Sequence, residues 1–158
     1  SGQLTAGMIL RALLSGNVVL FEEALAELSG QALDRVTGYI HDKNISGFRA
    51  IYAKAGLPDA AYPAFREAIA ALREGILVGE TGGVSRLKRR MVQRVLEACA
   101  AERSQDGTRE SMATLLALLR RFAVEAAREE ARMFCDDLVA NDEAMPFVPQ
   151  IEDARLVA

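Results

Sequence analysis

The chain has 158 residues, enough to bury a substantial core and a natural length for one domain. Its 51% hydrophobic and 26% charged residues make a globular composition and exclude a disordered one. A net charge of −3 gives no overall attraction for nucleic acid, and no apolar run approaches the ~18 residues of a membrane span.

Aromatic residues are only 6% and Trp is absent, so the core is expected to be mostly aliphatic, with Ala and Leu packed closely between helices. Two cysteines, Cys99 and Cys135, stand far apart without metal-ligand spacing, as in a reduced cytoplasmic protein. No secretory signal pattern is present. The chain opens on Ser1-Gly2 rather than Met, as an excised piece of a longer protein would.

In chain order, residues 4–14 read as a first helix, broken by Ser15-Gly16-Asn17, where Asn17 can cap the next. The second helix, 18–28, ends at Ser29-Gly30. The third, 32–40, carries Leu33, Val36 and Ile40 at helical spacing, and Asp42-Lys43-Asn44 is a turn. The fourth runs from about 46 to 55. Its stop signal is complete: Gly56 for the left-handed position, Leu57 to fold back on Tyr52, and Pro58 to prevent continuation. The fifth, opening at Asp59 or soon after, reaches about Glu74 and tolerates Pro63 because it lies near the start. Residues 76–83 are a Gly-rich loop, 85–103 a sixth helix and 104–107 a turn. The seventh helix spans 108–140, and Pro146 and Pro149 make the remainder extended.

The expected architecture is therefore all-α: a multi-helix bundle or HEAT-like helical array of about seven helices around one long C-terminal helix. It forms a single domain over 1–143, with short helices in 4–75 and a helical hairpin in 84–140, followed by an extended tail at 144–158. No strand is needed.

The stretch 108–140 contains no Gly or Pro and would be about 50 Å long as a helix, against a diameter near ~40 Å for a compact domain of this length. It must cross the molecule or project from it. Leu115, Leu119, Phe122, Ala126 and Met133 fall on one line. Leu116, Ala123, Ala127, Phe134 and Leu138 lie beside them, with Val124 and Ala131 beyond. An apolar arc of about 200° is twice that of an ordinary surface helix, so this one is expected at the centre, covered on more than one side. Apolar area beyond what one small domain covers also leaves room for a homodimer.

One internal similarity stands out. Phe21-Glu22-Glu23-Ala24-Leu25-Ala26-Glu27-Leu28 resembles Phe65-Arg66-Glu67-Ala68-Ile69-Ala70-Ala71-Leu72. The offset of 44 residues matches the ~40–47 period of HEAT and armadillo repeats. With these segments placed, the sequence resembles a bacterial family, domain of unknown function 2336. Two stretches carry the resemblance. The first runs from Gly47-Phe48-Arg49-Ala50-Ile51-Tyr52 to Ala55-Gly56-Leu57-Pro58, preceded by Phe21 to Leu28 and Ile40-His41-Asp42. The second is Leu115-Leu116-Ala117-Leu118-Leu119-Arg120-Arg121-Phe122, leading to Glu125-Ala126-Ala127-Arg128-Glu129-Glu130-Ala131-Arg132. The resemblance implies an all-α bacterial protein similar in character to helical-repeat proteins. It carries over no catalytic residue.

Candidate sites are few. Gly79, Gly82 and Gly83 precede a helix, but Val84-Ser85-Arg86 follow where a P-loop needs Lys, so a plain loop is expected. His41 is the only histidine; it reads as a helix-end residue, since a phosphotransfer helix would carry Lys and Gly where Asn44 and Ile45 stand. Cys99 shares the apolar side of its helix with Val84, Leu87, Met91, Val95 and Ala98, as a buried structural thiol does. Cys135 sits at the edge of the polar face of the long helix. The adjacent carboxylates Glu22-Glu23, Glu129-Glu130 and Asp136-Asp137 diverge by about 100° and cannot act as acid–base pairs. No catalytic, cofactor or metal set can be assembled, so no cofactor is called for and a non-enzymatic role is expected.

The remaining lead is basic. Arg86, Arg89, Arg90 and Arg94 would share one stripe if 85–103 is helical, with no acidic residue between Arg86 and Arg94. They are the candidate contacts for an anion or an acidic partner. Without aromatic residues in the run, single-stranded nucleic acid is disfavoured. The expected role is a protein-interaction or scaffold module of the bacterial cytoplasm, with a protein partner and no membrane. Regulatory binding of nucleic acid or an anionic ligand at the Arg stripe is the alternative.

Overall fold

The computed structural model describes residues 2–42, 45–78, 86–103 and 109–144. They form seven α-helices in chain order: α1 (Gly2–Leu14), α2 (Val18–Ser29), α3 (Leu33–His41), α4 (Ile45–Lys54), α5 (Tyr62–Arg73), α6 (Arg89–Arg103) and α7 (Arg109–Ala144). A short 3-10 turn, Asp59–Ala61, leads into α5, and the described residues contain no strand. The predicted tail at 144–158 lies almost wholly outside them, as do the glycines 79, 82 and 83.

Local chemistry sets most boundaries. The Asn17 side chain accepts from the Leu20 amide at 3.2 Å and caps α2. Gly56 takes φ +71° after α4, a conformation that costs a side-chain-bearing residue ~1–2 kcal/mol. The chain then bends so that the Tyr52 hydroxyl donates to the Pro58 carbonyl at 2.6 Å. Pro63 sits in the first turn of α5, where its missing N–H is no loss. Arg73, in the last turn of α5, donates to the Ile40 and Tyr39 carbonyls at 2.9 Å each, capping the open end of α3.

Helices α1 to α5 close around a buried cluster that includes Leu10, Leu13, Leu14, Leu25, Val36 and Ile69. The few aromatic residues are concentrated rather than dispersed. Phe21 stacks on Phe65 at 6.0 Å, and Tyr52 meets Tyr62 and Phe65 at 5.1 and 5.3 Å. This joins α2, α4 and α5, each such pair adding about 0.5–1.5 kcal/mol beyond its buried area. The core is thus aliphatic at its α1 end and aromatic between α2, α4 and α5. Gly47 is required by the α3–α4 approach: a Cβ there would fall 2.2 Å from Cδ1 of Tyr39.

Helix α6 begins at Arg89, four residues later than the expected Ser85; residues 86–88 are a bend and irregular backbone. The Lys88 amide donates to the Leu14 carbonyl at 2.9 Å, so this segment closes the end of α1 instead of adding a turn to α6. From there α6 packs between α5 and α7. It runs antiparallel to α5, with Arg94 beside Glu74 and Arg66 beside Glu102, and antiparallel to α7, with Arg89 beside Glu130.

Helix α7 has 36 residues, so its length is about 54 Å. Leu115, Leu116, Leu119, Phe122 and Ala126 are buried against the body. From Ala127 to Asp142 no residue is buried. The expectation of a central helix covered on more than one side therefore applies to the first half only. The first half is core, and the second projects beyond the end of α6.

Candidate interaction surface

The projecting half of α7 carries apolar side chains into solvent. Phe134 is 64% exposed, Leu138 54% and Val139 57%, and Val124, just before this half begins, is 51% exposed. Ala127 and Ala131 are exposed between them. Val124, Ala127, Ala131, Phe134 and Leu138 follow one another at spacings of three, four, three and four residues. That alternation is the seam along which one helix packs on another. At 100° per residue the seam lies about 120° around the helix from the buried line of Leu115, Leu119, Phe122 and Ala126. Both lines are buried on the first half, the outer one at Leu116, which shares the azimuth of Phe134; from Val124 onward the outer line faces solvent. Their sum is the wide arc visible in the sequence.

Three carboxylates anchor the base of the projection. Arg11 of α1 holds Glu125 through both guanidinium nitrogens, one contact at 2.7 Å, and its guanidinium carbon lies 5.8 Å from the Phe122 ring centre. The hydrogen bond from Arg11 keeps the Glu125 carboxyl below its usual range. Arg86 lies 3.3 Å from Glu129, and Arg89 2.5 Å from Glu130. A polar cleft of about 230 Å³ between these groups is lined by Arg11, Arg86, Leu87, Glu125 and Glu129. Each of its four charged side chains has an opposite charge within the cleft.

The arginines singled out in the sequence do not make one helical stripe. Arg86 precedes α6, and Arg89, Arg90 and Arg94 are on it. Arg94 grips Glu74 with contacts of 2.6 and 2.9 Å, which pulls the Glu74 carboxyl below its usual range. Arg86, Arg89 and Arg94 therefore act as ties between helices, whereas Arg90 is exposed and makes no ion pair among the described residues. Their acceptors lie 20 to 43 positions away in sequence, where no local pattern reveals them.

A second polar group was not anticipated. Glu22 is nearly buried on the inner side of α2, accepting from Thr37 Oγ1 at 3.0 Å and lying 2.9 Å from His41 Nε2. The sequence offers one signal for it: Glu22 falls between Phe21 and Leu25 on an otherwise apolar face. His41 is indeed the last residue of α3, and its partner is this carboxylate on α2. Cys99 is fully buried, and burial pushes its thiol up to about 12, with Glu102 and Glu67 adding to the effect. Cys135 is exposed on the projection. Among the described residues no three His, Cys, Asp or Glu are grouped as metal ligands, and no helix is long and apolar enough to cross a membrane.

An all-α helical fold that presents a bare helix end defines the class. The chain belongs to a family described as an uncharacterised protein conserved in bacteria (DUF2336), whose model matches residues 1–105. That span takes in α1 to α6, including the stretch around Gly47 to Pro58; the second stretch of resemblance, at Leu115 to Arg132, lies beyond it. No curated protein matches the chain. No solved structure matches it either.

Proposed function

We propose that this chain is a non-enzymatic helical interaction module of a bacterial cytoplasmic protein, in which the α1–α6 body holds α7 out toward a protein partner. One observation carries the reading: the second half of α7 continues from a packed helix with Phe134, Leu138 and Val139 in solvent. Contiguous apolar side chains on an exposed helix mark surfaces that another molecule covers. The ring contact between Phe21 and Phe65, equivalent residues of the 44-residue similarity, supports repeat ancestry for the body, which suits a scaffold.

The test is capture with two baits, the natural protein and its Phe134→Glu, Leu138→Glu double variant. Loss of a specific partner with the double variant is the expected result. Identical capture by both baits overturns the role of the projection. The competing reading, an anionic ligand or nucleic acid on Arg86, Arg89, Arg90 and Arg94, draws its support from the exposure of Arg89 and Arg90. It requires three of the four to exchange a carboxylate for the ligand. Arg89→Glu with Arg90→Glu would then abolish a salt-dependent affinity, and no binding at low salt dismisses it.

A further inference from the structure

We infer that the outward seam of α7 pairs with the same seam on a second copy of this chain, the two helices running antiparallel. This rests on the interaction reading above and names the partner. Three observations lead to it.

The first is spacing. The three-four alternation of Val124, Ala127, Ala131, Phe134 and Leu138 suits packing against another helix at a shallow angle of about 20°. It is less suited to a flat surface or an extended peptide. The helix is also formed in advance, because its first half is clamped in the core. Pairing therefore does not carry the cost of ordering an isolated helix.

The second is size pattern. Within the seam the small Ala127 and Ala131 precede the large Phe134 and Leu138, and Val124 at the inner end falls opposite Asn141 in an antiparallel pair. Antiparallel alignment puts Ala131 beside Phe134 of the other copy and Ala127 beside its Leu138, so large fills small at both layers. Parallel alignment stacks Ala on Ala and Phe on Phe, leaving a gap and then a clash.

The third is charge. The inner part of the exposed helix carries Arg121 and Arg128 beside the seam, neither with an ion pair within 4 Å among the described residues, though Arg121 also acts on Glu125 one turn away. The outer part carries Asp137 and Asp142 beside the seam, likewise exposed and unpaired among the described residues. Antiparallel helices lay the basic part of each copy along the acidic part of the other, with Arg121 flanking Asp142. Parallel helices set Asp137 of one copy against Asp142 of the other. Glu130 falls opposite Asp137 in the antiparallel pair, but Arg89 at 2.5 Å already matches it.

The experiment is sedimentation of the whole chain across the micromolar range, followed by two orientation probes. The expected species has twice the 17.1 kDa of one chain. Phe134→Glu and Leu138→Glu, both at exposed positions, should return it to a monomer with unchanged helicity. Arg121→Asp and Asp142→Arg should each weaken association at least tenfold, and the two together in one chain should restore it. In a Cys135→Ser background, Ala127→Cys mixed with Leu138→Cys should give a mixed disulfide in preference to either symmetric one. A monomer throughout the range overturns the inference, whether the seam is then covered by residues 145–158 or by another protein. A dimer indifferent to Phe134→Glu, or one that cross-links Ala127→Cys to itself, also overturns it. Loss of a different protein partner with the double variant would still leave the interaction reading standing.

Discussion

The first and second halves of α7 share a pattern rather than a composition: four Leu in the first against one in the second, and two acidic residues against six. Both are Ala-rich, both carry Leu and Phe at helical spacing, and both mix Glu with Arg in one uninterrupted helix. In the first half, Leu116 and Leu119 are wholly buried, α6 lies alongside, and a Cβ placed at Gly7 of α1 would reach within 3.7 Å of Leu118. In the second half, Phe134 and Leu138 have no such cover among the described residues. An apolar face therefore states only that burial is favourable there. What does the burying depends on where the neighbouring helix ends, and α6 is less than half the length of α7.

The largest expected effects test that contrast directly. Leu119→Ala empties a packed site and should cost about 2–5 kcal/mol in urea unfolding. Leu138→Ala, measured at a dilution where chains stay apart, should stay within about 0.5 kcal/mol of the parent. Equal losses would erase the distinction between the halves. Hydrogen exchange gives a finer scale: amides in the half around Leu116 to Phe122 should exchange at least ~10-fold more slowly than those around Phe134 to Leu138. Comparable protection in a monomer would mean that the projection is held by contacts of its own.

The two thiols divide in the same way. Cys135 should react with an aromatic disulfide reagent in the native protein, and Cys99 only on unfolding. The Cys99 thiol ionises at 9.0 when free of the fold and at about 12 within it. Because the unfolded chain gives up this proton first, the contribution of Cys99 to stability is whole below pH 9. It is lost as pH rises toward 12. Cys99→Ala should make that part of the alkaline decline shallower, and an unchanged slope would remove burial as the cause.

The smallest effect belongs to the tie at the base of the projection. Glu125→Gln should lower stability by no more than about 1 kcal/mol at neutral pH, since the Arg11–Glu125 pair is partly exposed. The carboxyl lies below its ordinary value, so the contribution is present above that value and disappears as pH falls through the lowered one. Variant and parent should then melt together in acid. A gap that persists there would point to packing rather than charge.

Features governed by neighbouring residues were legible before the structure. The Asn17 cap, the Gly56-Leu57-Pro58 stop and the burial of Cys99 each depend on residues close in sequence or on one helix face. The body also lies within the span of the family model, as the stretch around Gly47 to Pro58 suggested. The projection was hidden because a broad apolar arc does not show where its cover stops until the length of α6 is known. The ties from Arg86, Arg89 and Arg94 were hidden because each acceptor lies on another helix. The start of α6 was placed four residues early because nothing near it in sequence shows that Lys88 is held elsewhere. The Leu14 carbonyl, which takes the Lys88 amide, lies more than 70 positions upstream.

The unbroken backbone of α7 has a mechanical consequence. From Arg109 to Ala144 there is no Gly or Pro, so the helix has no soft point between its seated half and its free end. It behaves as a lever with its fulcrum near Phe122 and Ala126. A tilt of about 10° at Ala126, too small to disturb the core greatly, sweeps Ala140 through roughly 4 Å. Arg11, Arg86 and Arg89, which grip Glu125, Glu129 and Glu130 on either side of that fulcrum, set the rest angle. Whatever takes hold of the free end thus has a stiff handle on the seam between α1 and α6.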